Sequence, residues 1–305
     1  MPWEHGVSAA PAATGSAPIG ARGGDVSSLL QFVRRHRRLF VLSGAGVSTA
    51  SGIPGYRDAQ GRWMRSPPVL LHDFLHSARV RERYWARSMA GWPLVALARP
   101  NAAHHALARL QAAGHLARLA TQNVDGLHQR AGTTEVIELH GNIAAVSCLD
   151  CGAQQSRDAI QRRMESDNPE HVGVAAAAAA DGDAETTWRW GDRFRVPACA
   201  RCGGMLKPTV IFFGEGVPRA RVAAALQALE ESDALLVVGS SLMVYSGYRF
   251  CLRAAQLGVP IAAINLGQTR ADALFSLKLE QPCAQALSDV TARLGIDRPC
   301  PGVAG

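Results

Sequence analysis

The 305-residue chain has no apolar run approaching the ~18 residues a membrane helix needs, which excludes a helical membrane span. It also lacks the charged start and apolar centre of a secretory signal. Residues 1–24 read MPWEHGVSAAPAATGSAPIGARGG, rich in Pro, Ala, Gly and Ser and without apolar period. Such a composition cannot bury a core, so a disordered extension is expected there. Its Ala/Ser content leaves an organellar targeting role open, although the expected location is the cytoplasm. Seven cysteines, an odd number, argue against a disulfide scaffold and for a reducing compartment. No helix-turn-helix pattern is present. The net charge of +7 comes largely from arginines inside helical patterns, as at 34–38 and 79–83. They read as solvated helix faces rather than a specific nucleic-acid surface. One last absence falls in a loop. Gly44-Ala45-Gly46 follows four apolar residues, as in a dinucleotide-binding turn, yet Thr49 stands where the third glycine of G-x-G-x-x-G belongs. That disfavours a hydride-transferring dehydrogenase.

What is present is an ordinary globular composition, 48% hydrophobic and 19% charged. Short apolar runs at 39–46, 116–126, 208–215, 233–241 and 260–267 end in Gly, Ser, Asn or Asp and read as buried strands. Helical patterns lie between them, at VSSLLQFVRRH, AHHALARLQAAG, RARVAAALQALEESD and YRFCLRAAQLG, two of them closed by Gly114 and Gly258. Alternation of this kind predicts an α/β fold: a Rossmann-like parallel sheet with helices on both faces, plus a small zinc-ribbon and helical module. The sheet domain is assigned to 25–146 and 206–297, with a helical insertion at about 58–100. The module takes 147–205, and 298–305 is a flexible tail. The alanine run at 175–180 reads either as a helix or as a surface insertion. Ligands of such sheets sit beyond the carboxyl ends of the strands, where all these polar strand ends converge.

Cys148-x-x-Cys151 and Cys199-x-x-Cys202 form two matched pairs. Each pair can offer two thiolates to one tetrahedral Zn²⁺, and four sulfurs leave no open position, so the metal would be structural. The 47 residues between the pairs exceed the usual ~15–20, which leaves the intervening fold open. A redox pair would use one C-x-x-C at a helix start rather than two matched pairs.

The strand ends carry the chemistry. GAGVSTASGIPGYR (44–57) brings backbone close to a ligand and adds a loop long enough to fold over it. TQNVDGLH (121–128) sets two amides and a carboxylate at one strand end, and ELHGN (138–142) presents His140 just before the first cysteine pair. GSSLMV (239–244) and INLG (264–267) add further polar ends. Together these resemble the sirtuins, the NAD-dependent protein deacylases, over about residues 27–297. RERYWARSMAGWP (81–93), INLGQTRADAL (264–274) and the long cysteine spacing look like the class II group. Gly55 departs from the family, which usually carries an acidic residue between the proline and the aromatic.

The resemblance implies that the loop bends NAD so that nicotinamide leaves, which accounts for Thr49. It places Gly44, Ala45, Gly46, Val47, Ser48, Gly239, Ser240 and Ser241 at phosphates and ribose. Gly52, Ile53, Pro54, Tyr56 and Arg57 belong to the loop over the cofactor. Gln122, Asn123, Val124 and Asp125 lie at the nicotinamide ribose and carboxamide, and Asn265, Leu266, Gly267 and Cys283 at the adenosine half. Asn123, Asp125 and His140 are the implied catalytic residues, His140 as the base; His104, His105 and His128 keep a structural reading. Val210, Phe212, Phe213, Gly214 and Glu215 would receive an acyl-lysine peptide by strand addition. Tyr84 and Arg87 form the Y-x-x-R that in another sirtuin class reads an acidic acyl chain, although Trp85 and Trp92 beside them favour plain packing. The expected activity is acyl transfer from lysine to ADP-ribose, with NAD as co-substrate and one structural Zn²⁺. Mono-ADP-ribosyl transfer to protein, or a non-enzymatic zinc/NAD redox-sensing module, are the other readings.

Overall fold

The computed structural model describes residues 23–297 apart from 59, 61, 63, 65–67, 174–175, 179–183 and 187–193, with backbone only for 176–178 and 184–186. Helix α1 (Val26–Arg35) begins where the Asp25 carboxylate accepts from the Ser28 N–H at 2.8 Å, satisfying one of the free donors of a helix start. It leads into β1 (Leu39–Ser43), two short 3-10 turns at Ala45–Val47 and Thr49–Ser51, then α2 (Leu71–His76), α3 (Ala78–Leu97) and α4 (Ala102–Ala112). The first half of the main sheet closes with β2 (Leu116–Thr121), α5 (Leu127–Arg130) and β3 (Ile137–Glu138). A separate unit follows: β4 (Gly141–Cys148), β5 (Gln154–Ser156), α6 (Arg157–Asp167), the strands β6 (Ala176–Ala178) and β7 (Ala184–Thr186), and β8 (Leu206–Val210). The chain then returns through α7 (Arg219–Glu230), β9 (Ala234–Val238), α8 (Tyr245–Leu257), β10 (Ile261–Ile264), β11 (Leu277–Leu279) and α9 (Cys283–Leu294).

Six strands form one parallel sheet in the order β11-β10-β9-β1-β2-β3. Side chains alternate across a strand, so a sheet covered on both faces needs apolar residues at consecutive positions. Leu39, Val41, Leu236, Val238 and Ile264 bury against α1, α4 and α9, whereas Phe40, Leu42, Leu235, Val237 and Ala263 bury against α7 and α8. From β1 the chain builds outward through β2 and β3, then returns to build the other way from β9. The strand order therefore reverses between β1 and β9, the place where open α/β sheets take ligands.

The apolar run at 208–215 does not join that sheet. Its first residues lie in β8, which pairs antiparallel with β4 in a three-stranded sheet ordered β5-β4-β8. Beyond Val210 the chain leaves the strand, and Gly214 takes a left-handed turn at φ 81°. The alanine run is not a helix where described, because Ala176–Ala178 pairs antiparallel with Ala184–Thr186. The expected disordered extension and the tail 298–305 lie outside the described residues, save Gly23 and Gly24. Gly24 N–H donates to Lys278 O at 2.9 Å, on the edge strand β11.

A third core joins the helical insertion to the small sheet, with Phe74, Tyr84, Trp85 and Trp92 packed on Ile160, Met164 and Phe212. Arg157 is its unusual member. Fully buried, it lies 5.0 Å from the Trp92 ring centre and donates to Ser88 O at 2.9 Å. Burial pulls its pKa down to about 10, which still leaves it charged at neutral pH. The cation therefore rivets α6 to α3 through hydrogen bonds and aromatic faces rather than a carboxylate.

Candidate active site

A cleft of about 850 Å³ opens at the carboxyl ends of the parallel strands, between the main sheet and the small one. Its floor is three strand ends pressed together. Gly44 N–H donates to Val238 O at 3.0 Å, Gly46 N–H to Gly239 O at 2.8 Å, and Gly239 N–H to Ile264 O at 2.8 Å. A Cβ on Gly46 would sit 2.9 Å from Gly239 Cα, and one on Gly239, at φ 62°, would collide with Val47 N. Only bare backbone fits here, and a floor without side chains leaves room for a pyrophosphate to lie close to the main chain. The chain thus meets the steric requirement for a dinucleotide without a third glycine at 49.

The polar side chains above the floor are cross-linked. Ser48 Oγ–H donates to Asp125 Oδ2 at 2.7 Å and accepts from Asn123 Nδ2 at 3.0 Å. Asp125 Oδ1 accepts from the Leu127 N–H at 2.9 Å, and burial raises the pKa of this carboxyl despite those bonds. Gln122 Nε2 donates to Ser240 Oγ at 2.8 Å, tying the β2 end to the β9 end. Asn101 fixes the loop from behind, capping α4 while its Nδ2 donates to Val47 O at 2.8 Å and Ser51 Oγ at 2.9 Å. Such bonds hold the loop in place before any ligand arrives.

His140 sits in the turn between β3 and β4. Gly141 must follow it, because at φ 82° its Cα packs against the Thr209 carbonyl where no Cβ fits. The imidazole Nδ1 lies 2.8 Å from Gln122 O, and Nε2 lies 2.8 Å from Ser246 Oγ. Burial lowers the histidine's pKa; the Gln122 carbonyl opposes this, and Arg221 and Arg249 add to it. At neutral pH the ring is therefore an uncharged base. The His140 carbonyl also accepts from the Ile211 N–H at 2.8 Å, so the histidine and the exit of β8 move together.

The proposed substrate segment forms one wall. Val210, Phe212, Phe213, Gly214 and Glu215 all line the cleft. Glu215 Oε2 accepts from the Phe212 N–H at 2.8 Å and pairs with Lys207 Nζ at 3.1 Å, which closes the turn. Phe213 O accepts from the Leu71 N–H at 2.9 Å and its ring meets Tyr56 edge-on at 6.4 Å, linking this wall to the loop over the floor.

Of the residues singled out from the sequence, Gly52, Gly267 and Arg87 do not line the cleft. Gly52 and Gly267 instead supply left-handed turns at φ 84° and 78°. Tyr84 does line it, with its ring 5.1 Å from Phe212 and 5.3 Å from Phe74, so it contributes apolar wall. The Y-x-x-R pair is split between cleft and elsewhere. Asn265 and Cys283 face the cleft at the β10 end, where Asn265 Nδ2 donates to Leu266 O at 2.9 Å. At Gly55 an added Cβ would meet only Arg57 O at 3.8 Å, so packing does not demand glycine there. Ser246 and Arg249 also line the cleft, in addition to the residues expected from the sequence. Nothing local in VYSGYR distinguishes them, because the group Ser246 meets is His140, 106 residues away.

The cysteine pairs converge on one point. Their four sulfurs lie within 4.8 Å of one another, with 3.6 Å between Cys148 and Cys202 and 3.8 Å between Cys151 and Cys199. A tetrahedral ion with metal–sulfur bonds of ~2.3 Å has sulfur–sulfur edges of ~3.8 Å, so the donor set fits one structural zinc. Left-handed Gly152 and Gly203 turn the chain after each pair. Backbone N–H groups of Arg201 and Cys202 aimed at Cys199 lower its thiol pKa to about 7, favouring the thiolate that binds metal.

Comparison with known proteins agrees with this geometry. A family model described as the Sir2 family matches residues 44–246. An NAD-dependent protein deacetylase of Xanthomonas campestris pv. campestris is 58% identical over 86% of this chain and 89% of its own. The NAD-dependent protein lipoamidase sirtuin-4, mitochondrial, of Bos taurus is 46% identical over 88% of this chain and 86% of its own. Among solved structures, Sir2 in complex with an inhibitor, 2'-O-acetyl-ADP-ribose and deacetylated p53 peptide superposes with a TM-score of 0.71 at 28% identity, covering 89% of this chain and 100% of that one.

Proposed function

The chain belongs to the Sir2 family, and from that premise we infer that it is an NAD-dependent protein-lysine deacylase. It cleaves NAD to nicotinamide and transfers the acyl group from lysine to ADP-ribose, using one structural zinc to hold the small sheet in place. The observation that carries this reading is His140, a neutral base at neutral pH on a cleft shared by the glycine floor and the β8 exit.

In this reading NAD is a co-substrate whose pyrophosphate rests on Gly44, Gly46 and Gly239. Asn123 and Asp125, pre-set by Ser48, hold the ribose and carboxamide beside the bond that breaks. The substrate's acyl oxygen attacks the ribose carbon as nicotinamide leaves, and His140 Nε2 takes the proton released from a ribose hydroxyl. An extended peptide would lie along 210–215, and Tyr84 and Phe212 offer its acyl chain an apolar wall rather than a carboxylate clamp. We place the activity in the cytoplasm. Six free cysteines among the described residues, four of them gathered for metal, suit a reducing compartment. No helix among the described residues is long and apolar enough to cross a membrane.

The test is incubation with NAD and a panel of acetyl-, succinyl- and lipoyl-lysine peptides, scoring nicotinamide and O-acyl-ADP-ribose. Both products should appear with at least one peptide and fall ~100-fold or more in His140→Ala. Label from adenine-labelled NAD fixed on protein, with no O-acyl-ADP-ribose, would instead establish ADP-ribosyl transfer.

A further inference from the structure

A carbonyl oxygen can only accept a hydrogen bond, so the 2.8 Å contact between His140 Nδ1 and Gln122 O puts the ring proton on Nδ1. Nε2 then carries the only lone pair, and the Ser246 hydroxyl 2.8 Å away must be donating to it. Whatever the base does, it does past Ser246.

The serine is held there by the fold. It is the second residue of α8, whose first turn is set by the Gly247 and Tyr248 N–H groups donating to Val244 O at 3.1 and 3.2 Å. Behind it, Gly247 packs on the Gln122 side chain so closely that a Cβ would collide with Oε1. Gln122 also holds the other face of the imidazole through its carbonyl. Both nitrogens of His140 are therefore gripped by one unit, the β2 end and the α8 start, and α8 is seated by the buried Phe250, Cys251 and Ala254. Ser246 is half-buried and, with His140, lines the cleft. The charged groups acting on the ring are Arg221 from α7 and Arg249 from α8, and from the β2 side it meets the Gln122 carbonyl.

We propose that Ser246 is a further catalytic residue for deacylation, the hydroxyl through which the proton of the substrate ribose reaches His140. The ribose O–H gives its proton to Ser246 Oγ while the Ser246 O–H gives its own to Nε2. One O–H bond breaks and one forms on the serine, which ends unchanged, and the net transfer is from ribose oxygen to imidazole. The alignment also keeps the ring from turning about its Nδ1 bond, which a lone acceptor at Gln122 would permit.

This inference rests on the deacylase reading, and the experiment separates the two. In the full chain with zinc, Ser246→Ala should lower kcat/KM for the acyl peptide by ~10- to 100-fold with little change in NAD affinity, and Ser246→Thr should recover most of it. Ser246 donates to the neutral ring and accepts from the protonated one, so its loss should move the acid limb of the kcat/KM profile in Ser246→Ala, and Ser246→Thr should restore it. The same shift should appear in an NMR titration of the His140 ring, which needs no turnover. Wild-type turnover with an unchanged Ser246→Ala rate and acid limb would overturn the role of Ser246 and leave the deacylase intact. An unmoved His140 titration would overturn it even if no peptide were turned over.

Discussion

The Gln161 side-chain amide donates to Met89 O at 2.9 Å, and Met89 O is the carbonyl that Pro93, four residues further along α3, has no N–H to serve. A proline inside a helix normally leaves that carbonyl without its partner. Here α6 supplies the donor, and Gln161 Oε1 in turn accepts from Arg157 at 2.8 Å. The flaw in one helix is thus the docking point of the zinc-bearing unit. Gln161→Leu should cost about 1–3 kcal/mol, the range for a buried polar group left unpaired, measured by urea unfolding of the zinc-loaded protein. In a Pro93→Ala background residue 93 regains its N–H, so the cost of Gln161→Leu should shrink by about 1 kcal/mol in a double-mutant cycle. Equal costs in both backgrounds would mean the two residues are not coupled.

Gly239 meets two demands at once, a left-handed backbone and contact with Val47 N. Gly239→Ala must push the β1 and β9 ends apart, and those ends form the floor of the cleft. NAD affinity should fall by tenfold or more, since the backbone strain alone is ~1–2 kcal/mol. Isothermal titration with NAD measures this, and zinc content should be unchanged. Retained affinity would move the pyrophosphate away from this floor.

Some of this was legible from residue order and some was not, for identifiable reasons. β1, β9 and β10 stand out because every position of a strand buried on both faces is apolar or small. β3 and β11, of two and three residues, are too short to show a pattern at all. The 208–215 run misled because apolar content cannot tell a strand of one sheet from a strand of another. What sends it elsewhere is the pairing of Val146 with Pro208 and Cys148 with Leu206, partners some sixty residues apart in the chain. The four cysteines, His140 and TQNVD carry their chemistry in local spacing and could be read. Ser246 could not, since its partner is 106 residues away, and neither could the divergence of Tyr84 and Arg87, which share a helical spacing but not a destination.

Lys207 and Glu215 form the other closed turn of the site. Lys207 is nearly buried and also donates to Val210 O at 2.6 Å, so the pair fixes both ends of the segment on which a peptide would lie. Glu215→Gln keeps an acceptor for the Phe212 N–H and removes only the charge that balances Lys207. Peptide KM should rise by roughly tenfold, because breaking one side of a desolvated ion pair costs more than an exposed pair would. NAD binding should not change. An unaltered KM with a weakened NAD complex would reverse the assignment of this wall.

Two buried histidines behind the cleft give the protein an acid limit. Ser43 Oγ spends its proton on Thr121 Oγ1 at 2.9 Å, so toward His128 Nε2 at 2.8 Å it accepts, and His128 Nδ1 is left as a lone pair without a partner. His104 Nδ1 accepts from the Asn101 N–H at 3.3 Å. Neither ring has a place for a second proton. Burial first, and then a neighbouring imidazole (His105 beside His104, His104 beside His128), pulls His104 down to about 4 and His128 to about 3. Both pKa values lie below the unfolded value of ~6.5, so under pH 6.5 the unfolded chain binds more protons than the folded one. Stability is complete above pH 6.5 and drains away as pH falls toward 4 and then 3. At pH 5 each histidine should have withdrawn about 2 kcal/mol. His128→Gln keeps a donor for Ser43 and cannot titrate, so between pH 7.5 and 5 it should lose about 2 kcal/mol less than the wild type in urea unfolding. Protonation of the zinc thiolates and of His140 occurs in both proteins and cancels from the difference. Parallel pH curves for the two would show that folded His128 takes up its proton as readily as the unfolded chain does, and the neutral network beneath Ser43 and Ser48 would then have to be redrawn.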